Sequence, residues 1–134
     1  MVLSLKLFVA SLIILPAIDY IWLSNMANFY VARYGDLARL ENGQLKVLYF
    51  PAIVVYFLLA LGLVFFVVPR SERLGQAVLS GALLGFVIYG VYDMTNMATL
   101  RNYTWTLSLV DMTWGTVLNA IAAIAIYLLR DKIA

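Results

Sequence analysis

Three aspartates within otherwise apolar stretches are the residues of this sequence best suited to chemistry. They are Asp19, Asp93 and Asp111, and the last two each begin an Asp-Met-Thr triplet. An aspartate inside a membrane span costs about 2.5–3.5 kcal/mol on insertion scales, so it usually faces the interior of a helix bundle and serves a function. The three carboxylates are therefore the first candidates for a binding or ion site.

Each aspartate has a partner at the spacing of one helical turn. Trp22, Asn96 and Trp114 each follow an aspartate by three residues, which places both members on one face of a helix. Tyr89 lies one turn before Asp93, and Arg101 follows closely enough to neutralise a carboxylate. The predicted ligand-binding residues are Asp19, Trp22, Tyr89, Asp93, Asn96, Arg101, Asp111 and Trp114, with Trp105 as a further aromatic wall and Asn119 as a deeper polar group.

The absence of histidine and cysteine restricts the possible chemistry. Neither an imidazole-ligated or thiolate-ligated metal nor a Ser-His or Cys-His catalytic pair can form without them. We therefore expect no cofactor, and no catalytic residue is identified. If a hard cation binds, the carboxylates of Asp19, Asp93 and Asp111 are the candidate metal ligands. A net charge of +2 without a basic patch excludes nucleic acid as a partner.

The composition indicates an integral membrane protein. Of the 134 residues, 65% are hydrophobic and only 12% are charged, whereas soluble domains are about 25% charged. Four apolar stretches reach the roughly 20 residues needed to cross about 30 Å of hydrocarbon, and only helices satisfy their backbone groups there. The sequence predicts one all-α domain, residues 1–134, forming a four-helix membrane bundle with spans at about residues 3–24, 45–68, 74–100 and 105–129.

The connections between the spans are short except for the first. Its FYVARYGDLARL stretch has apolar residues at helical spacing, typical of a short amphipathic helix lying along the membrane surface. A solvated loop interrupted by Gly35 is the alternative. The second span carries no charged residue between Tyr49 and Val68, so it is interpreted as a wall of the bundle.

Small residues recur along the third span. Ala77, Gly81 and Gly85 are spaced by four, a pattern that lets two helix backbones approach closely. This pattern predicts packing within the bundle, with formation of a homo-oligomer as the alternative.

Four alternating spans bring the three aspartates to one side of the membrane. Asp19 lies near the end of the first helix, Asp93 near the end of the third, and Asp111 just after the start of the fourth. At about 1.5 Å per residue, each lies roughly 6–10 Å inside its helix end. We expect the carboxylates to share one layer and to face one interior cavity. The alternative is that each points separately to water or caps a helix.

The motifs around these aspartates carry a family resemblance. The stretches GVYDMTNMATL, VDMTWG and PAIDYIW resemble those of a bacterial family of small four-span membrane proteins of unknown function, domain-of-unknown-function family 2177. The Tyr92–Leu100 and Asp111–Gly115 stretches carry the likeness, which extends over essentially the whole chain. The resemblance implies a multi-pass protein of the bacterial cytoplasmic membrane and implies no activity.

The cations give a slight orientation preference. Five lie on the side of the two termini and four on the other, which under the positive-inside rule favours cytoplasmic termini. The acidic layer would then lie at the periplasmic side.

Three function classes fit the sequence. The favoured one is a pocket that binds a small molecule or membrane lipid, with the aspartates and Asn96 as anchors and tryptophans as walls; its acidic centre and aromatic rings suit a cationic ligand. The second is proton or cation binding and transport, since two close carboxylates cannot both ionise cheaply. The third is an enzyme acting on lipid or isoprenoid substrates through carboxylate acid–base catalysis.

Overall fold

Four long helices make up nearly all of residues 1–133, which the computed structural model describes. They are α1 (Val2–Tyr34), α2 (Tyr49–Gly62), α3 (Leu74–Thr99) and α4 (Trp105–Ile133). A π-helical turn, Leu63–Val67, and a 3-10 turn, Val68–Arg70, extend α2. All four helical segments are long and apolar enough to cross a membrane. The predicted all-α, four-helix membrane bundle is confirmed.

The helices pack in the order α2, α1, α4, α3. Helix α3 lies along α4, α4 packs against α1, and α1 packs against α2. The ring closes where the π-helical turn meets α3, whereas the first half of α2 makes few contacts with α3. The main core, around Leu15, Leu63 and Leu118, lies near this closure. The two helices therefore diverge toward the start of α2 and leave a cleft between them.

Helix α1 is longer than the predicted first span. It continues from residue 24 to Tyr34 because no helix breaker occurs before Gly35, whose φ of +51° suits a residue without a Cβ. Tyr30 gives this extension a tertiary partner, since it forms an apolar cluster with Tyr103 and Leu107. Of the FYVARYGDLARL stretch, residues 29–34 belong to α1 and Gly35–Leu37 form a 3-10 turn, so neither interpretation of this stretch describes it fully.

A small β-hairpin follows α1. Strand β1 (Leu40–Glu41) pairs antiparallel with β2 (Gln44–Leu45). Asn42 and Gly43 make the turn with φ of +52° and +77°, as a type I′ turn requires. The expected surface helix or solvated loop does not account for this hairpin, although the Asn-Gly pair is a local signal for it.

The small residues of α3 form the close contact with α4. A Cβ on Gly85 would overlap the carbonyl oxygen of Gly115, and one on Gly81 would lie 2.5 Å from the Cβ of Ala123. The stripe is therefore used within the chain, as predicted. An oligomer, if one forms, must use another face.

Candidate intramembrane binding site

The register of α3 against α4 brings Asp93 near Asp111. Gly85 contacts Gly115, and the Tyr89 ring packs over the same glycine. Asp93 follows Gly85 by two helical turns and Asp111 precedes Gly115 by one, so both aspartates lie beyond this contact, toward the α3–α4 turn. Asp93 is fully buried, and its carboxyl group lies within hydrogen-bonding reach of the Asp111 carboxyl group. Two ionised carboxylates this close would repel each other strongly.

Tyrosines donate to both members of this pair. The Tyr103 hydroxyl donates to Oδ1 of Asp93 at 2.7 Å, and the Tyr30 hydroxyl donates to Oδ1 of Asp111 at 2.8 Å. Trp22 Nε1 donates to the Tyr30 hydroxyl at 3.1 Å, and this hydrogen bond orients the Tyr30 O–H toward Asp111. The tyrosines stabilise negative charge on the pair without bringing a positive charge to it.

Two buried atoms in this layer accept no hydrogen bond from the described protein groups. They are Oδ2 of Asp93 and Oγ of Ser108. Ser108 lies three residues before Asp111 and seven before Gly115, on the face of α4 that packs against α3. The layer therefore offers acceptor capacity beyond what its tyrosines use.

Tyr103 is the one member of this network outside the helical spans. It lies in the turn between α3 and α4 and is buried. Burial raises the pKa of its hydroxyl above the ordinary 10.0, and the hydrogen bond to Asp93 raises the pKa further. The phenol remains a neutral donor to Asp93 at all physiological pH values.

Asp19 forms a second, adjoining centre. Its Oδ2 accepts from the Tyr56 hydroxyl at 2.8 Å, and its Oδ1 accepts from Trp114 Nε1 at 2.7 Å. The rings of Trp22 and Trp114 stack at 4.5 Å between centroids and 5° between planes, which links this centre to that of Asp111. Tyr56 comes from α2, so α2 is more than the wall that its lack of charge predicted.

The cleft between α2 and α3 reaches this network from the side. It has a volume of about 450 Å³ and is walled by Val55, Leu58, Leu59 and Ile88, with Tyr89, Tyr92 and Asp111 at its polar end. Leu58 is 58% exposed and Ile88 is 37% exposed, so the mouth opens toward the outside of the bundle. A ligand could therefore enter from the lipid.

A second cavity lies on the loop side of the same layer. It measures about 330 Å³, and Tyr34, Arg39, Asn96 and Tyr103 are among its lining residues. Tyr92 borders both cavities, and its hydroxyl lies close to that of Tyr34. This tyrosine pair separates the lateral cleft from the loop-side cavity.

Most of the predicted site residues lie in one network. Asp19, Trp22, Tyr89, Asp93, Asp111 and Trp114 are grouped there. Tyr89 lies between the centres, near all three carboxyl groups. Asn96 lines the loop-side cavity beside Tyr103.

Three other predicted residues lie elsewhere. Arg101 is exposed and forms no ion pair with a carboxylate of the described residues, so the neutralisation expected of it is not observed. Trp105 is 64% exposed and contributes no wall. Asn119 is buried deeper, where its Nδ2 donates to the carbonyl of Gly115 at 2.9 Å.

The tyrosine donors are what sequence reasoning missed. Tyr30, Tyr56 and Tyr103 each donate to a different aspartate, and Tyr92 borders both cavities. The available signal was nine tyrosines in a chain of this size, several of them at apolar positions in the spans, where a phenolic hydroxyl requires a partner.

The metal interpretation receives no support from this geometry. Within residues 1–133, no group of three or more His, Cys, Asp or Glu side chains is arranged to hold a metal ion. Both oxygens of Asp19 already accept hydrogen bonds, one from Trp114 and one from Tyr56. In this structure the Asp19 oxygens are therefore engaged by Tyr56 and Trp114 and are not grouped with the Asp93 and Asp111 carboxyl groups.

Comparison with known proteins gives one match. Residues 4–128 match the family described as predicted membrane protein, DUF2177. No curated protein and no solved structure matches the chain.

Proposed function

Because this chain belongs to the DUF2177 family of predicted membrane proteins, whose description carries no activity, we propose its function from the site: it binds a small amphiphilic molecule or lipid inside the membrane. The ligand inserts its apolar part between α2 and α3 and directs its polar group toward Asp111. The observation that carries this proposal is the cleft, whose aliphatic walls end at a carboxyl group.

The dimensions and lining of the cleft suit such a ligand. Its volume of about 450 Å³ falls within the roughly 300–1,000 Å³ of small-molecule sites, which combine apolar walls with a few polar anchors. Asp111, Tyr89 and Tyr92 are those anchors. Because the mouth is bordered by Leu58 and Ile88, the apolar chain of the ligand stays in an apolar environment from the lipid to the site.

The location is a separate part of the proposal. We propose that this is a multi-pass protein of the bacterial cytoplasmic membrane, as the resemblance of its motifs implies. Both termini lie in the cytoplasm in this proposal, because five cations lie on the terminal side against four on the other. The cleft then opens in the periplasmic half of the bilayer.

A second candidate function is proton or cation binding. The contact between the Asp93 and Asp111 carboxyl groups favours it, because such a pair takes up and releases a proton readily. Transport across the whole membrane is less well supported, since the buried polar side chains of the terminal half are few.

Filling the cleft tests the binding proposal. In Leu58→Trp the added ring occupies the mouth of the cleft. We therefore expect the heat of 1-octanol binding that is due to the protein to disappear. The measurement is calorimetric titration of the protein in phosphatidylcholine nanodiscs, with the heat of empty nanodiscs subtracted. Leu83→Trp is the matched control, because Leu83 is equally exposed at 59% but lies outside the cleft. Equal octanol binding by both variants contradicts the proposal.

A further inference from the structure

The charge state of the Asp93–Asp111 pair restricts what can occupy the polar end of the cleft. Two ionised carboxylates in contact repel each other, so with one shared proton the pair carries a single negative charge. Among the described residues no lysine or arginine forms an ion pair with either carboxyl group. Within residues 1–133, that negative charge therefore has no cationic side chain paired with it.

Apart from the adjoining Asp19 carboxyl group, the groups that surround the pair are neutral donors or aromatic rings. Helix α1 contributes Tyr30 and Tyr34, α3 contributes Tyr89 and Tyr92, and the α3–α4 turn contributes Tyr103. From α2, the Tyr56 hydroxyl is engaged by Asp19. Aromatic rings add attraction for a cation that lies over their faces.

The unpaired acceptor atoms indicate that a bound group would have to donate hydrogen bonds. Asp93 Oδ2 and Ser108 Oγ lack partners among the described protein groups although both residues are fully buried. Leaving such atoms unpaired is unfavourable. Of Asp93, Ser108 and Asp111, only Asp111 lines the cleft, so a small group with several donors would approach the buried acceptors past Asp111.

We propose that the site binds the ammonium group of an alkylammonium amphiphile at the Asp93–Asp111 pair, with the alkyl chain in the cleft. The proposal rests on the proposed binding function and names its ligand class. An ammonium supplies three N–H donors and one positive charge, so it neutralises the single negative charge of the pair. A divalent cation would need six to eight oxygen ligands, and an anion would be repelled.

Two probes of equal chain length separate the contribution of the charge from that of the chain. Octylammonium chloride and 1-octanol are titrated into the protein in phosphatidylcholine nanodiscs, and the heats of empty nanodiscs are subtracted. We expect octylammonium to bind at least about tenfold more tightly, because hydrogen bonds to charged groups contribute about 1.5–3 kcal/mol. Octyltrimethylammonium has the charge without N–H donors, so it should bind more weakly than octylammonium.

A variant without the two carboxylates tests whether the preference for octylammonium over 1-octanol arises at this pair. Asp93→Asn/Asp111→Asn keeps the shape of the cleft and should bind 1-octanol as the wild type does, with the octylammonium preference lost. Asp36→Asn/Glu41→Gln is the matched control, since it removes two carboxylates from exposed positions of the loop on the same side and should keep the preference.

Each other outcome overturns a defined claim. Octanol binding without an octylammonium preference in the wild type, or a preference that persists in the neutral variant, overturns the ammonium site and leaves the cleft function standing. Equal binding of octylammonium and octyltrimethylammonium overturns it even if the neutral variant fails to fold. If titration with sodium chloride gives a binding heat at the pair, the pair is a site for an inorganic cation instead. Absence of binding by both octyl probes overturns the proposed function as well.

Discussion

Each of the three buried aspartates is paired with a tyrosine from another part of the chain. Tyr56 serves Asp19, Tyr103 serves Asp93, and Tyr30 serves Asp111. A buried carboxyl group needs hydrogen-bond donors, because its desolvation is otherwise uncompensated. A phenol satisfies this need while leaving the charge of the site unchanged, which a lysine or arginine would not do.

Removing the Tyr103 hydroxyl tests this pairing. In Tyr103→Phe, Oδ1 of Asp93 loses its donor in a fully buried position, so we expect a loss of about 1–3 kcal/mol in the free energy of unfolding at pH 7. Circular dichroism of thermal unfolding in detergent measures the change. Tyr49→Phe is the control, since Tyr49 is 83% exposed and its variant should unfold as the wild type does.

The same variant should also change the response to alkaline pH. The pKa of Tyr103 is raised above 10.0 in the folded state, so its contribution is complete below pH 10 and is lost as the pH rises through the folded-state pKa. The unfolded chain then releases a proton that the folded protein retains. Wild-type stability should therefore fall more steeply above pH 10 than that of Tyr103→Phe, and parallel curves would contradict this assignment.

The sequence identified the carboxylates more readily than their partners. Spacing within one helix brought Trp22, Trp114 and Tyr89 into the predicted site, because residues one turn apart share a face. The donors to Asp19 and Asp111 lie 37, 81 and 95 residues away along the chain. Such partners depend on how the helices pack, and a single sequence holds no direct record of that packing.

At the scale of the elements, the α3–α4 hairpin sets the depth of the site. Its register is fixed where Gly81 and Gly85 meet the backbone of α4. Tyr89 follows Gly85 by one helical turn, and Asp93 follows it by two. A shift of either helix along the other would separate the two carboxyl groups.

A side chain at Gly85 should disturb both stability and register. Gly85→Ala places a Cβ against the carbonyl of Gly115, which cannot move without displacing α4, and Gly85→Leu adds more volume. We expect overpacking to cost about 1–3 kcal/mol for alanine and more for leucine, measured by thermal unfolding in detergent.

Gly75→Ala is the comparison within the same helix. A Cβ there has no neighbour within 4 Å, so the higher helix propensity of alanine should leave stability unchanged or raise it by up to about 1 kcal/mol. If Gly85→Ala unfolds like Gly75→Ala, the close contact with α4 is absent.

The elements themselves were predictable to different degrees. Long apolar runs identified four helices, because span length and hydrophobicity are properties of local sequence. The extension of α1 to Tyr34 was not found, since it depends on the packing of Tyr30 against Tyr103 and Leu107. The hairpin was missed although Asn42 and Gly43 signal it locally, so that error was one of interpretation.

For the whole molecule, the even number of helices places both termini on one side. The three aspartates, the hairpin and Arg101 lie toward the other side. The buried polar side chains thus concentrate in one half of the bundle, and the terminal half is packed mainly by aliphatic residues such as Leu7, Val64 and Ile126.

Reporter fusions at the two ends test this topology. Fusions to residues 1 and 134 should report the same compartment, and the cytoplasm is the expected one because the terminal side carries the cation excess. A fusion in the Asn42–Gly43 turn should report the opposite compartment. Opposite locations for the two termini would contradict the four-span topology and with it the shared layer of aspartates.

The π-helical turn Leu63–Val67 divides the second helical segment into two parts that are rotated relative to each other about the helix axis. Such a turn contains about one residue more than an α-helical turn, which offsets the residues before and after it by about 100° around the axis. At the end of the turn and directly after it, Val67 and Val68 are buried in the bundle; before the turn, Leu58 faces outward while Tyr56 reaches Asp19. One inserted residue thus lets a single helix serve as packed support at one end and as the side of an entrance at the other. The width of that entrance therefore depends on how the first part of the helix is rotated about its axis. Deleting one residue of the turn would change this rotation without removing any atom of the site.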